Sequence, residues 1–168
     1  WGSGWAWDDN PAYFQPYLSP LIYHKGMVKV TATPAAVKGD TATLVCEPVS
    51  TFYTLSNETE TKTPAAGKFS VSRNWLENKN DIVVKGNVDN KRTGEVNIYP
   101  SQDFFMHTFV ERLQQKGIVI EEPYDYAEFI EDSTAVLMAR NTCPVREVIN
   151  QIMKKSDHLN AEALLCQL

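Results

Sequence analysis

Cysteine is scarce in this chain and badly spaced for chemistry. The three cysteines, Cys46, Cys143 and Cys166, lie far apart and include no C-x-x-C pair. That spacing does not suit a zinc site, and an odd number argues against a disulfide framework. All three are expected to be small buried apolar residues. Long apolar runs are missing as well, and none approaches the roughly 18–20 residues of a membrane span. There is no basic run or Lys/Arg stripe, and the formal net charge is −5, so the electrostatic footprint of a nucleic-acid binder is absent. No G-x-S-x-G elbow, P-loop or G-x-G-x-x-G motif occurs. The three histidines, His24, His107 and His158, are scattered. Neither a cofactor nor a metal is expected.

What remains is a mildly acidic chain of 168 residues with 43% hydrophobic content, enough for one domain or one domain plus part of another. It opens abruptly on Trp1-Gly2-Ser3-Gly4-Trp5-Ala6-Trp7, with no basic-then-apolar leader, and stops at Leu168 inside an apolar helical pattern. Both ends are therefore expected to be cuts in a longer chain.

The first hundred residues read as short strands with polar turns. Met27 to Thr33 alternates apolar with polar or small residues, as a half-buried strand does. Thr41 to Cys46, Phe52 to Ser56, Lys68 to Trp75, Asp81 to Val88 and Glu95 to Tyr99 follow, which favours a small sandwich or barrel-like unit. The pattern changes at Pro100. Ser101 is a candidate N-cap, Phe105, Phe109 and Leu113 mark an amphipathic face, and Gly117 is the expected C-cap. Ile118 to Ile120 and Ala135 to Ala139 read as strands. Pro144 opens a second helix with Val145, Val148, Ile149 and Ile152 on its apolar face. After a break near Lys155-Ser156-Asp157, a third helix is expected to bury Leu159, Ala163, Leu164 and Leu165. The fold class is α+β, with a boundary near residue 100.

Three groups of residues are candidates for chemistry. Trp1, Trp5, Trp7, Tyr13, Phe14 and Tyr17 surround Asp8-Asp9. Aromatics beside carboxylates can stack sugars, but packing onto a neighbouring domain is the favoured reading. Glu121-Glu122, Glu128 and Glu131-Asp132 are acidic loops in which a glycosidase pair would need a defined separation. The third group, Lys154-Lys155-Ser156-Asp157-His158, puts a hydroxyl and polar side chains at the junction of two helices. Such a junction presents side chains and free backbone donors to a cleft, although Ser156 or Asp157 can simply cap the following helix.

The stretch Ile152-Met153-Lys154-Lys155-Ser156-Asp157-His158-Leu159-Asn160-Ala161-Glu162-Ala163-Leu164-Leu165 resembles the S-x-N region of the serine-type D-Ala-D-Ala carboxypeptidase/endopeptidase family, the low-molecular-mass class C penicillin-binding proteins. Gly4-Trp5-Ala6-Trp7-Asp8-Asp9, with Ser19-Pro20-Leu21, is similar to that family's G-W-x-W-D-D segment and nearby S-x-L. Phe104 to Leu113, leading into Lys116-Gly117-Ile118, resembles the family's helix before a Gly-Ile/Val step.

The resemblance implies that residues 1–100 form a β-rich inserted subdomain. Residues 101–168 would then be a partial return to a penicillin-binding-protein/β-lactamase-like core. It implies acyl transfer on peptidoglycan stem peptides in the periplasm, with β-lactams as acylating inhibitors. The serine of S-x-x-K attacks, the serine of S-x-N relays protons, and the Asn contacts the substrate amide, while backbone N–H groups hold the oxyanion. On this chain the second motif falls on Ser156 and His158, the catalytic candidates, with His158 where the family has Asn. No S-x-x-K is present; Thr93-Gly94 follows Arg92, and Lys62-Thr63 is followed by Pro64, so there is no K-T-G either. The chain alone is expected to be inert. An inactive homologue or structural module that binds peptidoglycan or a protein partner is the alternative.

Overall fold

The computed structural model describes residues 10–127, 134, 136–137 and 139–166. Two three-stranded sheets carry the first part of the chain. The strands are β1 (Met27–Thr33), β2 (Thr43–Glu47), β3 (Thr54–Thr61), β4 (Ser70–Arg73), β5 (Asp81–Val88) and β6 (Arg92–Asn97). Helices α1 (Ser101–Gln115), α2 (Val145–Lys155) and α3 (His158–Leu165) follow, so the class is α+β.

β1 is the centre of an antiparallel sheet, paired to β2 from Lys29↔Glu47 to Thr33↔Thr43 and to β6 from Met27↔Asn97 to Ala32↔Arg92. β5 is the centre of the other sheet, parallel to β3 and antiparallel to β4. The period-2 alternation read in β1 and β5 decides which face goes inward. Val28 and Val30 of β1, Ile82 and Val84 of β5, and Val96 and Ile98 at the end of β6 are fully buried in one cluster with Phe104 of α1. Ala32, Ala42 and Val88 extend that core toward the other end. The two sheets therefore face each other, as expected of a small sandwich.

Several sequence expectations move by a few residues or fail. The strand expected at Phe52–Ser56 is β3, which runs on through a Thr/Glu-rich stretch to Thr61. That polar run is stable as a strand because its inward hydroxyls have partners. Thr59 Oγ1 accepts from Ala42 N at 2.9 Å and Thr61 Oγ1 from Ala35 N at 2.9 Å. In α1, Pro100 holds the N-cap position, and the hydroxyl of Ser101, the first helical residue, donates to Tyr17 O at 2.6 Å. The buried stripe is Ser101, Phe104 and Thr108, one residue out of register with the expected Phe105, Phe109 and Leu113. Small residues flanking Phe104 let the helix approach the sheets closely. Phe109 remains 49% exposed and stacks on Phe105 at 6.2 Å. The end of α1 is as expected to within one residue. Lys116 is the C-cap, and Gly117 follows at a φ of 83° while Ile118 N donates back to Leu113 O at 3.1 Å.

Ile118 to Ile120 forms no strand, and Val119 is 81% exposed. A strand needs a neighbour to satisfy its backbone, and among the described residues none lies alongside. The strand expected at Ala135 to Ala139 includes Ala135 and Met138, which lie outside the described residues; Val136 and Leu137 are exposed. The apolar faces expected to be buried in α2 and α3 are largely open, with Val145, Ile149 and Leu165 exposed. The cysteine expectation fails too: Cys143 and Cys166 are exposed on the flanks of α2 and α3, and Cys46 is half-buried in β2. Burial pushes the Cys46 thiol up, partly offset by the Tyr53 hydroxyl.

The segment before β1 is tied down by a buried guanidinium. Arg73, at the end of β4, is 3% exposed. Its Nε donates to Asn97 O at 2.9 Å and Asn97 Oδ1 at 3.0 Å, Nη1 to Lys79 O at 3.2 Å, and Nη2 to Tyr17 Oη at 3.0 Å. Asn97 Nδ2 then donates to Asn10 Oδ1 at 2.9 Å and Gln15 O at 2.8 Å. Residues 10–17 are thereby held across the ends of β4 and β6.

Two substitutions test this packing. Gly86 in β5 has a φ of +99°, and a Cβ there would meet Lys68 O at 2.3 Å. Gly86→Ala is expected to cost about 2–5 kcal/mol from overpacking and backbone strain together. Gly39→Ala, at a φ of +91° with nothing within 4 Å, should cost less. Arg73→Leu is expected to cost about 3 kcal/mol, because Asn97 and Tyr17 lose charged hydrogen bonds in a dry site. Urea denaturation of the variants beside the wild type reads all three.

Candidate functional site

α2 ends where Ser156 takes a left-handed conformation, φ 50°, and turns the chain. Asp157 is the N-cap of α3, its side chain accepting from Asn160 N at 3.1 Å and Asn160 Nδ2 at 3.0 Å. Capping, one of the two readings open for this run, is thus the role of Asp157. His158 begins α3. Ser156 and His158 both line one cleft of about 470 Å³, whose other walls include Tyr13, Phe14, Lys25 and Glu95. The ring of Phe14 lies edge-on to the His158 imidazole, 6.2 Å between centroids.

Lys25 joins this group from the far side of the sequence. Its Nζ donates to Asp157 Oδ2 at 2.6 Å, and the side chains of Lys25 and Asp157 are 53% and 7% exposed. Burial alone would raise the Asp157 carboxyl, but the Lys25 ammonium and the Asn160 donors outweigh it and hold it below the ordinary aspartate range. The cleft therefore keeps an ionised Asp157, held by Lys25 and Asn160, between two residues, Ser156 and His158, that line the same space.

Nothing in local sequence marked Lys25 or Glu95 for this site. Lys25 stands 132 positions from its partner, and only the fold brings the end of the first turn onto the helix junction. Other candidates lie elsewhere. Of the aromatic group, Tyr13 and Phe14 reach the cleft, whereas Tyr17 packs on Tyr99 at 4.7 Å and under Arg73, inside the described fold. Trp1, Trp5, Trp7, Asp8 and Asp9 lie outside the described residues, as do Glu128, Glu131 and Asp132. Glu121 and Glu122 are exposed and away from the cleft. His24 Nδ1 lies 3.1 Å from Met27 O. His107 lies 2.8 Å from Thr51 Oγ1, where Glu111 also accepts from Ser50 and Thr51 and clamps α1 to the 50–53 loop. Among the described residues, no three His, Cys, Asp or Glu side chains converge as metal ligands would, and no helix is long and apolar enough to cross a membrane.

The model of the family described as D-Ala-D-Ala carboxypeptidase 3 (S13) matches the chain over residues 1–168. Among solved structures, penicillin binding protein 4 (dacB) from Haemophilus influenzae is similar at 17% identity and a TM-score of 0.62, covering 97% of this chain and 36% of that one. A second crystal structure of the same protein, complexed with a novel β-lactam, is similar at 14% identity and a TM-score of 0.61, covering 90% of this chain and 35% of that one. The likeness shows a shared penicillin-binding-protein-like fold, and this chain spans about a third of the length of those structures. No curated protein matches it.

Asp157 makes a specific pH dependence. A carboxyl held below its unfolded value, about 3.9, contributes stability that is fully present above that pH and is lost as pH falls through the lower folded value. Asp157→Ala is expected to cost about 1–2 kcal/mol at pH 7, mainly the cap, since the half-exposed Lys25 limits the ion pair. The difference from wild type should shrink below about pH 3.5. Urea titrations at pH 7 and pH 3 measure it, and an unchanged difference would contradict the assigned pairing.

Proposed function

The chain belongs to the D-Ala-D-Ala carboxypeptidase 3 (S13) family, and on that premise we propose that it forms part of a serine-type D-alanyl-D-alanine carboxypeptidase/endopeptidase acting on peptidoglycan stem peptides. The observation that carries this reading is the common cleft. Ser156 and His158, the two positions of the S-x-N-like motif, line it together at a capped helix junction.

In this reading, residues 1–100 are the β-rich insert and residues 101–168 return to the hydrolase core. The attacking serine of S-x-x-K and the K-T-G clamp for the substrate carboxylate are not in these 168 residues. They come from elsewhere in a longer protein, and the chain by itself is inert. Ser156 Oγ passes a proton between that nucleophile and the leaving amine, since a hydroxyl can accept one proton while donating another. His158 takes the place of an amide. A neutral imidazole donates one hydrogen bond and accepts one, so it can meet the peptide N–H or carbonyl of the substrate, with the ring set edge-on to Phe14. The substrate is a cell-wall peptide, so the protein works outside the cytoplasm, in the periplasm, and β-lactams act as acylating inhibitors. The H. influenzae protein crystallised with a β-lactam supports that last expectation.

One observation favours a second reading. An imidazole is broader than a carboxamide and has one N–H where the amide has two, so His158 also suits a homologue that binds peptidoglycan without cleaving it.

Labelling of the intact protein with a fluorescent penicillin separates the two. Covalent label on the wild type is the expected result. His158→Asn should then change the acylation rate by roughly tenfold or more while leaving the label in place, because one donor to the reacting amide is exchanged. Label on the variant alone would mean that His158 silences the site. Label on neither would overturn the hydrolase reading in favour of the binding one.

A further inference from the structure

We propose that the cavity between the start of α1 and α3 holds a sugar ring of the glycan from which the stem peptide hangs. The inference rests on the reading above for the identity of the substrate.

The cavity measures about 720 Å³, the size of a small-molecule site. Tyr17, Tyr99 and Tyr126 form part of its wall. Each is tied in place. The rings of Tyr17 and Tyr99 meet at 4.7 Å between centroids, and the Tyr17 hydroxyl accepts from Arg73 Nη2 at 3.0 Å. Asn80 holds the Tyr99 backbone, donating from Nδ2 to Tyr99 O at 2.6 Å and accepting from Tyr99 N at 3.1 Å. The Tyr126 hydroxyl donates to Asp103 Oδ1 at 2.8 Å, which ties the chain beyond α1 back to the first turn of that helix. Ser19, Asp103 and Glu162 bring polar atoms to the same space.

This lining suits a sugar better than a peptide. A pyranose has C–H groups on its faces and hydroxyls round its edge, so it needs flat apolar walls with acceptors beside them. A phenol ring offers an apolar body with a polar tip. A carboxylate accepts a hydroxyl proton in a strong, charge-assisted hydrogen bond. An extended peptide would instead need a ladder of backbone donors and acceptors along a strand edge. None of the residues lining this cavity belongs to a strand.

Its place fits the same occupant. Pro16 borders both this cavity and the cleft of Ser156 and His158. Residues 13, 14 and 16 line the cleft and residues 16–19 the cavity, so one stretch of chain passes from one to the other. Helix α3 does likewise. His158 lines the cleft, and Glu162, four residues on and so on the same side of the helix, lines the cavity. A stem peptide hangs from the glycan by its N-terminal end, and the bond to be cut lies near its other end. Four extended residues span at most about 14 Å. A peptide whose reacting bond lies beside Ser156 therefore brings its sugar only as far as a space adjoining the cleft.

The test uses the intact protein and two substrates that differ only in the sugar. One is a free pentapeptide ending in D-Ala-D-Ala; the other is the same pentapeptide on its N-acetylglucosamine–N-acetylmuramic acid disaccharide. For D-Ala release by the wild type, KM should be about tenfold lower with the disaccharide, the worth of one or two good contacts. The kcat should change little, because binding shared by ground and transition states lowers KM alone. Tyr126→Ala and Glu162→Ala should each narrow the ratio of the two KM values by about threefold or more. Both side chains are partly exposed, so the variants are expected to fold, and urea midpoints check this. Equal KM values in the wild type, or a ratio kept in both variants, overturns the proposal. If the wild type releases no D-Ala from either substrate, the hydrolase reading fails, and calorimetry with the same two ligands decides the sugar site. A disaccharide preference that the variants lose supports it; equal affinities, or no binding of either ligand, overturn it.

Discussion

A positive charge removed from water in the middle of the fold sets the terms for the rest of it. Arg73 is buried where two sheets and the leading segment meet, and among the described residues its hydrogen-bond partners are all neutral: Asn97, Tyr17 and the carbonyl of Lys79. Burial pulls the guanidinium below its usual range, partly countered by Tyr17, but a guanidinium stays charged in a protein. A charge that cannot be neutralised must have its donors satisfied, or the fold is lost. The partners are therefore constrained in place: Asn97 at the end of β6, Tyr17 in the leader, and through Asn97 the Asn10 and Gln15 positions. That constraint lays residues 10–17 along one side of the sandwich and puts Tyr13 and Phe14 at the cleft.

From that frame the site is assembled by two fixed ends meeting. One is the left-handed turn at residues 24–26, braced by β6 and α1. The other is the break between α2 and α3, where a left-handed Ser156 and a capping Asp157 reverse the chain. The Lys25–Asp157 contact closes the gap between the β-rich part and the helical part. It adds little to stability, since the ammonium is half-exposed.

Much of the sandwich was legible from sequence because inward and outward residues alternate with period two in β1 and β5, and a strand's own residues carry that signal. The limits at Met27–Thr33 and Asp81–Val88 agree with the structure to the residue. β3 is longer than its sequence suggests, because its Thr and Glu residues look like a loop until Ala35 and Ala42 supply partners for the hydroxyls. In α1 the presence of a helix was plain but its buried face was not. Hydrophobicity favours Phe105 and Phe109, yet close approach to the sheets favours Phe104 between Ser101 and Thr108. The open faces of α2 and α3 show the same limit from the other side. An apolar stripe states that a helix wants a partner; it does not supply one.

By itself the sequence determined the α+β class, the strands β1 and β5, the helix-breaking junction at residues 155–157, and the S-x-N-like run at Ser156 and His158 that resembles a family. These are local properties, carried by periodicity, capping chemistry and short motifs. Tertiary structure alone decided which residues meet at the cleft. Lys25, Glu95 and Phe14 come to Ser156 and His158 from distant parts of the chain, and no local pattern encodes that meeting. The reason is physical: contacts across so many residues follow from how the sheets twist and where buried polar groups find partners, and those choices are made by the whole fold at once.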